Sequence, residues 1–182
     1  MRIISGLHKG RKITAPKNLP IRPTTDMAKE ALFNILNNQY YFDEISVLDL
    51  FAGSGNISYE FASRGCKQLM AIEIHPGCTD FIEKTAKSLE LPIRVLKSDV
   101  ATFMHKTTDL FDVIFADPPY ALSVEEFEQI AQITFERDLL LDGGVLVIEH
   151  EKHMDLSQVP FFSSSRKYGS SVFSFFEKKS RP

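Results

Sequence analysis

The chain has 182 residues, 43% of them apolar and 25% charged, with a formal net charge of −3. That composition suits one globular unit with a sizeable core and excludes a disordered tail. No apolar run is long enough to cross a membrane, and the N-terminal MRIISGLHKGRK lacks the apolar centre of a secretion signal, so the cytoplasm is the expected location.

Residues 1–44 differ in character from the rest and are expected to form an extension that packs into the same compact unit. RIISG and RKITA are short strand-like pieces around His8-Lys9-Gly10, a pattern that predicts a hairpin. After NLPIRP comes TTDMAKEALFNIL, where Ala28, Ala31, Leu32 and Ile35 share a helical face and Thr25 or Asp26 can cap. Over residues 45–182 strands and helices alternate. SVLDL reads as a buried strand and NISYEFASRG as a helix stopped by Gly65. QLMAIEI is the next strand, and Pro76 suits the first turn of a helix presenting Cys78, Phe81, Ile82, Thr85 and Leu89. PIRVLKSD and FDVIFAD are further strands with room for a short helical turn between them. Ser123 and Glu126 make a capping box for a helix that turns Phe127, Ile130, Ala131 and Thr134 inward. Gly143-Gly144 is expected to turn into the strand VLVIEH, and SSSRKYGSSVFSFFEKK to form two antiparallel strands about Gly169. The order predicts an α/β sheet with crossover helices, parallel first and antiparallel at the end. Cys66 and Cys78 match no metal spacing and read as two reduced, buried thiols.

Charge is unevenly spread. Arg2, Lys9, Arg11, Lys12, Lys17, Arg22 and Lys29 crowd the first 29 residues against Asp26 alone, and Arg166, Lys167, Lys178, Lys179 and Arg181 lie near the C-terminus. This can make a basic face for a polyanion or two solvated tails, and charge alone leaves both open.

Two stretches carry chemistry. In VLDLFAGSGNIS, Gly53 and Gly55 lie between a strand and a helix, where open α/β sheets bind ligands. Asp49 precedes that turn, Glu73 ends the second strand and can accept ribose hydroxyls, and Asp99 ends the third and can accept from an adenine amine. Together they predict a nucleoside pocket. The run GxGxxS has Ser58 where a dinucleotide fingerprint wants Gly or Ala, and Asp49 suits a ligand ammonium. The turn therefore leans toward S-adenosylmethionine over a nicotinamide dinucleotide without deciding between them. The second stretch is Asp117-Pro118-Pro119-Tyr120, after a fourth apolar strand. Two prolines stiffen the turn and donate no N–H, so an exocyclic amine can give one proton to Asp117 and one to a backbone carbonyl. Tyr120 can stack on the base.

DPPY resembles the amino-methyltransferase motif, and the chain as a whole resembles the bacterial 16S rRNA guanine-N2 methyltransferases of the RsmD family. The resemblance is carried by RIISG with KGRKI, RPTTDMAKEALFNIL, VLDLFAGSGNISYEFASRG, AIEI, FDVIFADPPY, GGVLVIEH and YGSS. It implies the class I methyltransferase (Rossmann-like) sheet with an N-terminal β-hairpin extension, residues 45–182 being the methyltransferase domain and residues 1–44 facing RNA. It implies S-adenosylmethionine as cofactor, a monomer, and N2-methylation of guanine 966 in the small ribosomal subunit. By position, Asp49, Phe51, Gly53, Ser54, Gly55, Glu73, Ile74, Asp99, Val100 and Asp117 would hold the cofactor. Asp117, Pro118, Pro119 and Tyr120 would hold the guanine, and Arg2, Lys9, Arg11, Lys12, Arg22, Thr24 and Thr25 would meet RNA. The chain departs from the family pattern at Ser58, usually Gly, and at Met27, usually Arg.

Other amine substrates, in DNA or another RNA, and a non-catalytic role in ribosome assembly share most of these features. A short chain without a separate recognition domain speaks against DNA, and an intact Asp117 against the assembly role. HEKH at 150–153 lacks the helical spacing of a zinc site and reads as a solvated strand end. His75 reads as a pocket rim.

Overall fold

The alternating pattern resolves, in a computed structural model describing residues 1–22 and 24–179, into a seven-stranded sheet covered on both faces by helices. Pro23 and Arg181 lie outside the described residues. The strands are β1 (Ser46–Leu50), β2 (Gln68–Glu73), β3 (Ile93–Lys97), β4 (Phe111–Ala116), β5 (Leu140–Glu151), β6 (Phe162–Tyr168) and β7 (Ser171–Phe176). Their spatial order is β3-β2-β1-β4-β5-β7-β6, with β1 to β5 parallel and β7 antiparallel to both neighbours. The helices are α1 (Asp26–Asn37), α2 (Asn56–Ser63), α3 (Pro76–Ser88), α4 (Val100–Lys106) and α5 (Val124–Glu136). None of them is long and apolar enough to cross a membrane.

Side chains alternate across a strand, so each strand feeds two cores. Val47, Val113, Phe115, Val145 and Val147 meet α1, α2 and α3 on one face. Leu48, Leu50, Ile114, Ala116, Leu146 and Ile148 meet α4 and α5 on the other. The same parity puts Asp49, Asp117 and Glu149 on the first face. The parallel register pairs Asp49 with Phe115 and Ala116 with Ile148, so one step on Asp117 stands beside Glu149.

The termini of the helices follow their sequences. Thr25 caps α1, Pro76 opens α3, and Ser123 with Glu126 closes a capping box on α5. The face of α1 is rotated from the predicted one: Ala28, Lys29, Leu32, Phe33 and Leu36 are buried, and Ala31 and Ile35 are only half-buried. Both cysteines are free and buried.

One expectation holds in shorter form and two need correction. The N-terminal hairpin is present in short form: about the Arg2–Lys12 bridge, Met1 and Ile13 exchange both backbone hydrogen bonds at 3.1 and 2.9 Å, and Ile3 N donates to the Arg11 carbonyl at 2.9 Å. Beyond that pairing the Ile4 and Ser5 amides donate to the Glu60 carboxylate, at 2.8 and 3.1 Å, which ties the hairpin to α2. Gly143-Gly144 lies inside β5, where the register against β4 shifts, because the strand already begins at Leu140. The 150–153 stretch is not wholly solvated: His150 is buried under β7, held by Ser174 at 2.7 Å, with burial pushing its pKa down.

Two attachments hold the extension. Lys29 is fully buried against Glu60, itself fully buried on α2, at 3.3 Å. A Cβ on Gly6 would lie 1.9 Å from the Ser63 carbonyl oxygen, so only glycine lets the loop lie on the end of α2, where Leu7 N donates to that oxygen at 2.7 Å.

Candidate active site

The glycine turn begins with strain. Phe51, the residue after β1, has φ +56, a left-handed conformation that non-glycine residues adopt at a cost. Gly55 has φ +87, and a Cβ there would lie 2.7 Å from the Tyr59 ring, so the turn closes tightly on the first turn of α2. Glu73 holds the turn from β2: one carboxylate oxygen accepts from Gly53 N at 2.7 Å, the other from Ile74 N and His75 N at 2.9 and 3.0 Å. Ile74 itself is 62% exposed, an aliphatic face at the strand tip suited to a flat ring. Asp99 caps α4, accepting from Thr102 N and its hydroxyl at 2.9 Å each, with Val100 buried behind it. Ser54 points elsewhere, its hydroxyl meeting the Met1 sulfur at 3.7 Å, so only its backbone faces the turn. His75 accepts from Gly77 N and Cys78 N as the cap of α3.

Asp49 is buried on β1 and accepts from the Ser58 hydroxyl at 2.6 Å. Burial pushes its carboxyl up to about 7 against that hydrogen bond. Ser58, where the family usually has Gly, thus supplies a donor that a glycine could not. An ammonium group beside Asp49 would offset the burial cost of its charge, so the donor set fits a ligand with a cationic amino-acid end as well as a nucleoside.

At the tip of β4, Asp117 is largely buried while Pro119 and Tyr120 are exposed. The Pro119 carbonyl accepts from Leu122 N at 3.1 Å, closing the turn, so it is not free as the sequence suggested. The Pro118 carbonyl accepts no hydrogen bond among the described residues. Burial, and then the nearby Glu149, hold the Asp117 carboxyl well above the usual carboxylate range, opposed by Arg22.

Glu149 escaped the sequence reading. It is fully buried, accepts the Thr24 hydroxyl at 3.0 Å, and its other oxygen has no hydrogen-bond partner. Burial raises its carboxyl as well. The signal was available: VIFAD and LVIE are apolar runs that end in an acid at the same level of adjacent strands.

The residues expected to meet RNA divide into two groups. Lys9, Arg11 and Lys12 are exposed. Arg2 pairs with Asp26 at 3.2 Å, Thr25 caps α1, and Thr24 is buried against Glu149. Arg22 turns into the site, 3.6 Å from Asp117, 3.5 Å from Glu149 and 3.7 Å from the centre of the Tyr120 ring. The segment carrying it crosses the glycine turn, with Ile21 3.8 Å from where a Gly53 Cβ would stand.

Known proteins share both fold and sequence with this chain. The family described as conserved hypothetical protein 95 matches residues 1–177. A putative rRNA methyltransferase of Bacillus subtilis, YlbH, is 34% identical over 87% of this chain and 86% of its own. Ribosomal RNA small subunit methyltransferase D of Escherichia coli is 30% identical over 88% of this chain and 79% of its own. Among solved structures, the putative methyltransferase yhhF of Escherichia coli superposes with a TM-score of 0.86 at 25% identity, covering 100% of this chain and 99% of that one.

Proposed function

This chain belongs to the family described as conserved hypothetical protein 95, the RsmD family, and on that premise we propose that it methylates the N2 amine of a guanine in 16S rRNA. It is an S-adenosylmethionine-dependent rRNA methyltransferase. The finer reading takes guanine 966 of the small subunit as target, the chain acting as a cytoplasmic monomer. Residues 1–44 present Lys9, Arg11 and Lys12 to RNA phosphates, and residues 45–182 carry the chemistry.

One observation carries the reading. β1 and β4 are neighbours that end at the same level, Leu50 opposite Ala116, so the glycine turn and the Asp117 tip adjoin. When bound, the cofactor supplies a methyl group activated by its sulfonium. Asp49 would face its ammonium end, Glu73 and Ile74 its nucleoside, and Asp99 its base. On the substrate side, Tyr120 stacks the guanine while Asp117 and the Pro118 carbonyl accept the two protons of the amine. This directs the nitrogen lone pair at the methyl group. Asp117 then takes the proton that leaves, and its raised pKa makes it a better acceptor than an ordinary carboxylate.

The test is transfer of labelled methyl to small subunits lacking base methylation, with naked 16S rRNA and duplex DNA alongside, followed by identification of the labelled nucleoside. N2-methylguanine from subunits is the expected product. Label in N6-methyladenine or only in DNA overturns the guanine reading, and cofactor binding with no label at all overturns catalysis.

A further inference from the structure

The guanidinium of Arg22 lies over the face of Tyr120, 3.7 Å from the ring centre, where the target base is expected to stack. A single nitrogen, Nη2, stands 3.6 Å from an Asp117 oxygen and 3.5 Å from Oε1 of Glu149. This arrangement is a flat guanidine unit on an aromatic ring with its NH2 group bracketed by two carboxylates. Guanine contains the same unit: its exocyclic amine sits on a carbon between two ring nitrogens, one of which carries a proton.

We infer that Glu149 reads the target base, its Oε1 accepting from the N1–H edge of guanine, and that Arg22 occupies this guanidine-shaped slot until the base displaces it. The inference rests on the guanine-N2 reading above. Glu149 is fully buried, its Oε2 is fixed by the Thr24 hydroxyl, and Oε1 has no hydrogen bond. An acceptor left so is costly unless a donor arrives at some stage of the cycle. Register puts that acceptor beside Asp117, one step past the Ala116–Ile148 pair, so both acids reach one edge of one base. The chemistry then discriminates among bases. Adenine and cytosine carry a ring nitrogen lone pair next to their amine, which faces a carboxylate with repulsion. Guanine puts an N–H there. Asp117 holds the amine common to all three; Glu149 selects the base that can donate from the ring as well.

The test uses reconstituted small subunits with either guanine or 2-aminopurine at the target position. The two bases share the amine, and 2-aminopurine lacks the N1 proton. The wild-type chain is expected to prefer guanine by about 10- to 100-fold, the range of a hydrogen bond to a charged group. Glu149→Gln is expected to bring that preference within about threefold, by losing guanine turnover and sparing 2-aminopurine, with cofactor affinity unchanged. A guanine preference that survives in Glu149→Gln overturns the role of Glu149 while leaving the guanine-N2 reading intact. Wild-type chain that labels neither base overturns that reading and this inference with it. Should Glu149→Gln fail to bind cofactor, Thr24→Val decides instead: released from the hydroxyl, Glu149 is expected to lose several-fold in preference, and an unchanged ratio overturns the inference.

Discussion

Lys29 meets Glu60 beneath α1, and Arg22 meets Asp117 and Glu149 at the rim of the sheet; both join a basic residue of the extension to buried acids of the larger domain. Their wiring differs. Each Glu60 oxygen has a backbone partner, Ile4 N or Ser5 N, and a charged one, Lys29 at 3.3 Å or Arg64 at 2.9 Å. Lys29 also donates to Asn56 at 2.8 Å and to the Arg2 carbonyl. Around Arg22 the ion pairs are longer, Glu149 Oε1 lacks a hydrogen bond, and both carboxyls are pushed up by burial. A buried charge network with every acceptor filled fastens elements together. One in which an oxygen has only a long ion pair, as Glu149 Oε1 has with Arg22 at 3.5 Å, is held more loosely and can exchange partners.

The contrast predicts which readout each substitution moves. Asp117→Ala is expected to reduce methyl transfer at least about ten-thousandfold while cofactor affinity, measured by calorimetry, stays within severalfold. Retained turnover would sink the proton-acceptor role. Glu60→Ala strands Lys29 and is expected to lower unfolding free energy by about 3–5 kcal/mol in urea titration. Arg22→Ala, at the open cluster, is expected to cost under about 1 kcal/mol in the same assay; equal losses would erase the distinction between staple and site.

Asp49→Asn sharpens it further. The folded carboxyl is raised to about 7 from its ordinary 3.8, so the folded state binds the extra proton between those values and stability falls as pH rises through that window. At pH 8, above both values, the neutral amide is expected to stabilise the free chain by about 1–3 kcal/mol and to weaken cofactor binding. A stability gain at pH 3 as large as that at pH 8 contradicts burial of the charge as its cause. The smallest effect is expected on the outer face. Neutralising Lys9, Arg11 and Lys12 should lower the salt slope of RNA binding by about 2. An unchanged slope puts the RNA face elsewhere.

The sheet was legible because its strands are short apolar runs ending in acids, turns or glycines, and period-two alternation alone sets their faces. The caps at Thr25 and Ser123 and the stop at Gly65 were legible for the same local reason. What escaped depends on distant partners. Glu149 lies in the strand VLVIEH, and its burial is not visible until β7 pairs beside β5, Phe173 with Glu149 and Val172 with His150. Lys29 belongs to a polar stretch of sequence and is buried only because Glu60, on a separate helix, meets it. The hairpin was legible, but its attachment to α2 through Glu60 was not, since no propensity encodes a partner so distant in sequence. Arg22 was placed by resemblance in a loop near cofactor and RNA, but its pairing with Asp117 and Glu149 was not visible.

The loop laid on Ser63 has a geometrical consequence. α2 has eight residues, about 12 Å of rigid rod. One end is the glycine turn, and the other is clasped by the loop that leads into Lys9, Arg11 and Lys12. On the RNA-facing role proposed for those cations, α2 would set the offset between a bound strand and the glycine turn, as a gauge block sets the distance between two jaws. A nucleotide at the wrong spacing along a folded RNA would then miss the Asp117 tip, whatever its base, and length would join chemistry as a criterion of choice.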